Sequence, residues 1–280
     1  MSRLKVVHSL EFVYDRPAQA SYNEVRIFPV QELDQTVLAS SLTLDPPMPV
    51  RSSTDGFGNT VGEFELLQPH TRMSLTAETV VAVQREEIRP PVISVADVVE
   101  RTVKTMDLAE TVVQTKLTEP PEDVAKIAAS LMQPEDTNAS ARAIAERIGA
   151  DIEYVTGVTT VHSSAADVWE LRRGVCQDIA HVTLGALRSV GIPARYVSGY
   201  LHPSLEPQLG QTVPGEAHAW VEWFAGRWVG FDPTNSLPIG ERHVVVGRGR
   251  DYGDVPPLRG VFDGDSSSRL EASVTVTLLA

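Results

Sequence analysis

The strongest constraint on the fold is a period-two alternation of apolar and polar residues near both ends of the chain. In "RLKVVHSLEFVY" (3–14) the even positions are apolar apart from His8, and "LEASVTVTLL" (270–279) alternates in the same way. Successive side chains of a strand point to opposite faces of a sheet, so each run predicts a half-buried β-strand. Any helical part of the chain is therefore expected to lie between two regions of β structure.

The first 90 residues are predicted to form an antiparallel β domain, as one small sheet or a sandwich. Further strands are predicted at 22–30, 62–67 and 73–83, the last with its apolar side chains on one face. The segment "STDGFGN" (53–59) has the glycines, asparagine and aspartate of a tight turn and predicts a hairpin tip.

The pattern becomes helical after "RPPVIS" (89–94). Helices are predicted at 93–106, with Ser94 as N-cap, at 119–132, and at 137–150, the last ending near Gly149. One more helix is expected after Arg173. It is followed by predicted antiparallel strands at 193–201, 216–224, 227–234 and 242–247, with a tight turn at 225–227.

Composition excludes several classes of protein. The 280 residues suffice for one large domain or two smaller ones, and no apolar run of about 18 residues is present to span a membrane. The first residues lack the apolar core of a signal peptide, so a cytoplasmic location is expected. A net charge of -13 argues against broad binding to nucleic acids or anionic membranes, and one cysteine cannot form an intrachain disulfide.

The single cysteine, Cys176, lies in "RGVCQDIAHVTL" (173–184) at the start of a predicted helix. That helix ends near Val190, before Gly191 and Pro193. A helix N-terminus has free N–H groups and the positive end of the dipole, which favour a thiolate and can hold an oxyanion. A lone cysteine is also often a small buried hydrophobe, so the residue pattern by itself leaves both interpretations open.

A nucleophilic cysteine needs a base, and His218 is the best-placed candidate among the seven histidines. His181 follows Cys176 on the same helix but lies about 140° away around the axis, so we interpret it as structural. A turn centred near Gly226 places Asp232 diagonally opposite His218 on the next strand. Asp232 is therefore expected to accept the Nδ1–H of His218 and to support the imidazolium. The other five histidines show no pattern that connects them to the cysteine.

Three blocks of sequence, in order, resemble the transglutaminase-like superfamily of papain-like cysteine enzymes. They are "RRGVCQDIAHVTLGALRSVGIPARYVSGYL" (172–201), "GEAHAWVEWF" (215–224) and "GRWVGFDPTN" (226–235). The segment at 8–30 is similar to the N-terminal domain of bacterial members, and "GRGRDYGDVPPLRGVF" (247–262) to their C-terminal segment. The resemblance implies an α+β fold in which a helix carrying the cysteine packs on an antiparallel sheet, preceded by an N-terminal antiparallel β domain.

The resemblance also implies a catalytic triad. Cys176 matches the nucleophile that forms a thioester, His218 the general base and acid, and Asp232 the third member. The backbone N–H of Cys176 is expected to contribute to an oxyanion hole. Gln177 and Asp178 match motif residues that follow the nucleophile, and no catalytic role is assigned to them.

Two features of animal members are left open or excluded here. Animal transglutaminases take a second oxyanion donor from an upstream tryptophan, and whether Trp169 has that role is open. Animal enzymes are regulated by calcium, whereas the loop beginning "DGDSSS" (263–268) has Val274 where an EF-hand needs glutamate. We predict a hairpin turn at this segment and expect neither a metal nor another cofactor.

Domain organisation and function are expected to follow the family. An N-terminal β domain at 1–90 precedes a catalytic core at 91–245 and a C-terminal β extension at 246–280. The implied chemistry is acyl transfer or hydrolysis at a peptide or carboxamide bond of a peptide or protein substrate, with hydrolysis favoured over cross-linking. The alternative is a non-catalytic scaffold or binding protein that keeps the fold. The oligomeric state is not predicted.

Overall fold

The computed structural model of the protein describes residues 1–85, 89–265 and 267–280. Its helices are α1 (Val95–Lys104), α2 (Met106–Ala109), α3 (Glu122–Ser130), α4 (Thr137–Asp151), α5 (Ala165–Leu171) and α6 (Cys176–Ser189). Its strands are β1 (Ser2–Ala18), β2 (Ala20–Val25), β3 (Gln35–Asp45), β4 (Arg51–Thr54), β5 (Thr60–Leu66), β6 (His70–Val83), β7 (Glu153–Tyr154), β8 (Arg173–Gly174), β9 (Ala194–Leu201), β10 (Thr212–Phe224), β11 (Trp228–Asp232), β12 (Leu237–Pro238), β13 (His243–Gly249), β14 (Leu258–Asp263) and β15 (Ser268–Leu278). Among the described helices, none is long and apolar enough to cross a lipid bilayer.

Strand β1 lies at the centre of the N-terminal part of the main sheet and confirms the alternation in its sequence. Leu4, Val6 and Leu10 are buried, and β1 pairs antiparallel with β15 along one edge and with β6 along the other. The sheet order is β12-β11-β10-β15-β1-β6-β3, and β9 pairs with both β10 and β13. One sheet therefore joins the N-terminal strands to those that carry His218 and Asp232.

A second sheet, in the order β14-β2-β5-β4, packs on the N-terminal strands of the first to form a sandwich. The predicted hairpin tip at 53–59 is confirmed between β4 and β5. The strand predicted at 22–30 ends earlier, at Val25, ahead of Pro29, whose nitrogen has no proton to donate to a ladder.

The C-terminal strands complete both sheets of this sandwich. β14 pairs with β2, and β15 pairs with β1. Since β14 and β15 belong to different sheets, the hairpin turn predicted at 263–268 is wrong, and residue 266 of that segment lies outside the described residues. The domain boundaries near 90 and 245 stay predictions.

The helical segments predicted between 93 and 150 contain α1, α3 and α4. Ser94 caps α1, because its hydroxyl oxygen accepts the N–H of Asp97 at 3.1 Å. Helix α4 ends at Asp151, close to the predicted end near Gly149. A Cβ at this glycine would lie 2.2 Å from the carbonyl oxygen of Pro233, so the residue permits close packing against the turn that follows Asp232.

Helix α6 is enclosed along almost its whole length. Every residue from Gln177 to Arg188 is buried. Helices α3, α4 and α5 pack around it, and β9 and β10 cover the remaining side. The expected arrangement of a cysteine-bearing helix on an antiparallel sheet is confirmed.

Two side-chain amides of the N-terminal strands take the place of a neighbouring strand along β13. Gln35 accepts the N–H of Val245 and donates to its carbonyl oxygen, both at 2.8 Å. Asn59 forms the same pair of bonds with Arg248, both at 2.7 Å. Both amides are buried, so the hydrogen bonds that hold β13 against the N-terminal sandwich are shielded from water.

His8 lies buried at the contact between β1 and β9. Its Nδ1 is 2.9 Å from the hydroxyl of Tyr200, which itself donates to the carbonyl oxygen of Ile27 at 3.2 Å. The Tyr200 oxygen is therefore the acceptor, and His8 carries its proton on Nδ1. Burial lowers the pKa of His8 from 6.5 to about 4, so the imidazole is neutral at pH 7.

We expect His8→Asn, whose amide keeps the donor to Tyr200, to flatten the acid dependence of stability. Below pH 6.5 the unfolded chain binds a proton at His8 that the folded protein binds only near pH 4, so stability falls as pH drops through this window. Between pH 7 and pH 5 the loss in unfolding free energy from this residue is about 2 kcal/mol. Urea denaturation of both proteins at the two pH values measures the difference. Equal pH dependence in both would contradict the assignment.

Candidate active site

Cys176 is the first residue of α6 and is partly exposed, whereas the rest of the helix is buried. The preceding turn is closed by Asp178, whose Oδ2 accepts the N–H of Val175 at 2.8 Å and the hydroxyl of Thr159 at 2.6 Å. Burial raises the pKa of Asp178, more than these two hydrogen bonds lower it. Asp178, to which the sequence assigned no catalytic role, thus fixes the backbone turn that leads into Cys176.

The first two N–H groups of α6, those of Cys176 and Gln177, have no backbone partner among the described residues. Among the described residues, the N–H of Cys176 forms no hydrogen bond, while the carbonyl oxygen of Val175 accepts from Asp178 and Ile179 further along the helix. An N–H in this position can donate to a negative oxygen that develops beside the thiol. The structure therefore supports the expected oxyanion donor.

Trp169 does not face the thiol as an oxyanion donor. Its Nε1–H donates to Asp123 at 2.6 Å, and the guanidinium of Arg172 stacks on its ring at 3.4 Å from the centroid. The indole proton is thus already used in a contact between α5 and α3. Its role, open in the sequence, is to pack these two helices.

His218 and Asp232 meet across β10 and β11 as the turn at Gly226 predicts. Val221 pairs with Phe231 and Phe224 with Trp228, a register that places position 218 opposite 234. The Nε2 of His218 lies 2.7 Å from Oδ2 of Asp232.

The nitrogen that contacts Asp232 differs from the expected one. We predicted Nδ1, but the carboxylate is displaced by two residues along β11, and the ring spans this gap with its outer nitrogen, Nε2. Nδ1 is buried and makes no hydrogen bond of conventional geometry to any described residue. Cys176 is, besides Asp232, the group that lies near enough to the ring to raise its pKa.

Asp232 and Cys176 act on the pKa of His218, and His218 in turn acts on the pKa of Asp232. Burial by itself lowers the pKa of His218, but the hydrogen bonds and negative charges of Asp232 and Cys176 outweigh it and raise this pKa well above 6.5. Burial would raise the pKa of Asp232, but hydrogen bonds from His218, His243 and Asn235 hold it far below its ordinary value. The pKa shifts of His218 and Asp232 thus favour an ion pair between a protonated imidazole and a carboxylate.

Asp232 has a complete set of donors. Its Oδ1 accepts the N–H groups of Thr234 and Asn235 at 3.0 and 3.1 Å, and its Oδ2 also accepts the Asn235 side chain at 2.7 Å. His243 contributes a further contact, with its Nε2 at 3.4 Å from Oδ2. Sequence reasoning missed both residues. Asn235 was detectable from the "DPTN" turn, whereas His243 reaches the site from β13, which gave no local signal.

The aromatic residues near the triad are mainly core. Trp220, Trp223 and Phe231 are buried, and Trp228 is partly exposed with Arg195 stacked on its ring at 4.0 Å. Tyr154 lies at the rim and is nearly half exposed. Burial together with the charges of Cys176 and Glu216 raises its pKa to about 12. In the described ranges no group of three or more His, Cys, Asp or Glu side chains is arranged to hold a metal ion.

A cysteine at the start of an enclosed helix, packed on an antiparallel sheet that carries a histidine–aspartate pair, defines the papain-like transglutaminase fold. The chain belongs to the transglutaminase-like superfamily. Residues 125–233 match the model of the transglutaminase-like superfamily, and residues 4–82 match the bacterial transglutaminase-like N-terminal region.

Two of three similar proteins match the whole chain, and the third matches part of it. An uncharacterized protein of Mycobacterium leprae is 38% identical over 281 residues, which covers 100% of both chains. A crystal structure from Cytophaga hutchinsonii, provisionally described as a cysteine protease, has a TM-score of 0.78 at 22% identity over 100% of this chain and 91% of the other. A protein-glutamine gamma-glutamyltransferase of Pseudomonas aeruginosa is 32% identical over 103 residues, 33% of this chain and 15% of that protein.

We expect Asp232→Asn to shift the titration of His218. In the wild type the imidazole stays protonated through pH 7. In the variant the neutral amide removes a negative charge while burial continues to lower the pKa, so the proton is lost at lower pH. NMR of the protein with histidine labelled by nitrogen-15 follows the protonation of the His218 ring in both proteins.

His181 serves as the internal control, because burial lowers its pKa to about 3 and its ring contacts Tyr252 rather than Asp232. Its signal should be that of a neutral ring at pH 7 in both proteins. A His218 titration that does not change in Asp232→Asn would exclude the electrostatic coupling described above.

Proposed function

We propose that the protein is a cysteine-dependent acyltransferase or hydrolase acting on peptide or carboxamide bonds through Cys176, His218 and Asp232. The observation that carries the proposal is the 2.7 Å bond between Nε2 of His218 and Asp232, which leaves Nδ1 for the thiol at the start of α6. A nucleophile, a base and a residue that orients the base are thereby brought together.

In the proposed reaction the Cys176 thiolate attacks the carbonyl carbon of the substrate. The negative oxygen that forms is held by the N–H of Cys176, and the proton on Nδ1 of His218 passes to the leaving amine or ammonia as the C–N bond breaks. The product is a thioester on Cys176. Water or a second amine then attacks it, gives its proton to His218, and releases the thiolate.

The acceptor decides between hydrolysis and cross-linking. We favour hydrolysis, because the solved structure that shares this fold over the whole chain is described as a cysteine protease. The similar segment of the Pseudomonas aeruginosa transferase supports amine transfer as the second possibility within the same mechanism. A non-catalytic scaffold remains the alternative from another class. The presence of Cys176, His218 and Asp232 together argues against it, because a scaffold has no need to keep a thiol, an imidazole and a carboxylate in one place.

We expect Cys176 of the wild type to react with iodoacetamide rapidly at pH 6, where an ordinary thiol is mostly protonated. His218→Ala should react at about a tenth of the wild-type rate or more slowly still, since the imidazolium that stabilises the thiolate is gone. The chain has one cysteine, so mass spectrometry of the alkylated protein reads the rate at a single site.

A matched control is His202→Ala, which removes another buried imidazole that has no contact with Asp232 among the described residues. This variant should react like the wild type. A slow wild-type reaction that rises only above pH 8 in all three proteins would contradict the proposal.

We expect Cys176→Ala to abolish turnover while changing the unfolding free energy by about 1 kcal/mol or less. The side chain is partly exposed, so its removal leaves only a small cavity. Three assays measure turnover. Ammonia release from glutamine peptides measures hydrolysis of side-chain amides, new N-termini from casein measure hydrolysis of peptide bonds, and incorporation of a fluorescent amine into casein measures amine transfer. Unfolding of the variant under native conditions would instead identify Cys176 as a packing residue.

A further inference from the structure

His243 occupies a position beside the triad that the proposed mechanism does not use. It is buried at the start of β13, and its Nε2 lies 3.4 Å from the same Asp232 oxygen that binds His218. Its ring meets Trp220 edge-on at 5.3 Å between centroids. The carboxylate of Asp232 thus lies between two imidazoles, only one of which contacts the cysteine.

The hydrogen bonds of His243 define its tautomer. The backbone N–H of Gly240 donates to its Nδ1 at 3.1 Å, so Nδ1 is an acceptor and the neutral ring carries its proton on Nε2. Burial lowers the pKa of His243, and the positive charges of His218 and Arg85 act in the same direction, against the hydrogen bond and charge of Asp232. His243 is therefore a neutral donor aimed at Asp232, unlike His218, which is charged.

The segment that presents His243 is held by the N-terminal domain. Arg85, whose side chain is only 5% exposed, donates to the carbonyl oxygens of His243 at 2.5 Å and Gly240 at 3.2 Å, and pairs with Asp34 at 3.0 Å. Gln35 bonds both backbone groups of Val245, two residues further along β13. Gln35 of β3 is therefore bonded to β13, and His243 of β13 is bonded to Asp232, so β13 links the N-terminal domain to the carboxylate.

We propose that His243 is a positioning residue for Asp232, and that the N-terminal domain holds it in place through Arg85 and Gln35. The proposal rests on the function assigned to the triad and gives the N-terminal domain a part in it. The neutral Nε2–H of His243 and the side chain of Asn235 fill the positions around Oδ2 that His218 does not use. The carboxylate is then fixed in the orientation that faces His218.

The test compares His243→Leu with His243→Gln. Leucine fills a similar volume without a donor, whereas glutamine can place its amide N–H near the position of Nε2. We expect iodoacetamide to alkylate Cys176 about tenfold more slowly in the leucine variant at pH 7, the scale for loss of one hydrogen bond to a charged group. The glutamine variant should recover the rate to within about twofold of wild type. A packing role alone predicts that leucine does at least as well as glutamine, and that result overturns the proposal.

A second readout does not depend on the cysteine. The proton on Nε2 of His218, bonded to Asp232 at 2.7 Å, is expected to give a downfield NMR signal that reports this bond. We expect the signal to shift or broaden in His243→Leu and to return in His243→Gln. Slow alkylation of the wild type with these changes in the signal would refute the proposed function and leave the positioning role standing. An unchanged signal in His243→Leu would refute the positioning role.

Arg85→Met tests the part assigned to the N-terminal domain. It should move the His218 signal and the alkylation rate in the same direction as His243→Leu, because the carbonyl oxygens of Gly240 and His243 lose their shared donor. The matched control is Arg259→Met, which removes an exposed arginine of the sandwich that pairs with Glu24. If Arg85→Met behaves like Arg259→Met, the domain has no such role.

Should His243→Leu fail to fold, the comparison of His243→Gln with His243→Asn decides the question. Both variants introduce a buried amide, but the shorter asparagine reaches only the position of Nδ1. The positioning role requires the glutamine variant to react faster and to keep the His218 signal. Equal behaviour of the two overturns it.

Discussion

Enclosure of helix α6 on every side is the constraint on which the rest of the core depends. A helix buried along both faces needs partners all round, and α3, α4, α5 and the strands β9 and β10 supply them. The free end of this helix is its N-terminus, because its first N–H groups have no intrahelical partner. Cys176 stands at that end, so the packing that stabilises the domain also determines where a reactive group can be placed.

The triad differs from the other buried ion pairs of the protein in what its charges can do. Glu222 is buried between Arg195 and Arg248, two groups that keep their protons at all relevant pH values. Asp232 is equally well satisfied, but one of its partners is an imidazole that can give its proton away. Burial of a carboxylate therefore has two different results. Glu222 forms a rigid cross-link with two arginines, whereas Asp232 holds an imidazole that can donate a proton.

Much of this arrangement could be predicted from local patterns. The alternation in β1, the hairpin tip at 53–59 and the span of α6 are set by neighbouring residues, and the turn at Gly226 gave the correct register between His218 and Asp232. The choice of Nε2 over Nδ1 depends on a ring orientation that no spacing encodes. His243 and Gln35 act across contacts between distant strands, so their part in the site was visible only once β13 was seen to pack on the N-terminal domain.

The pairing of β15 with β1 has a consequence for how the chain acquires its structure. Leu4 pairs with Leu278, so one edge of β1 stays open during synthesis until residues 268–278 have left the ribosome. Until then the exposed edge offers unpaired backbone groups to any other nascent chain. Strands β1 and β10 are therefore fully paired only after β15 has been made, although β13 and the residues around Asp232 are made before it.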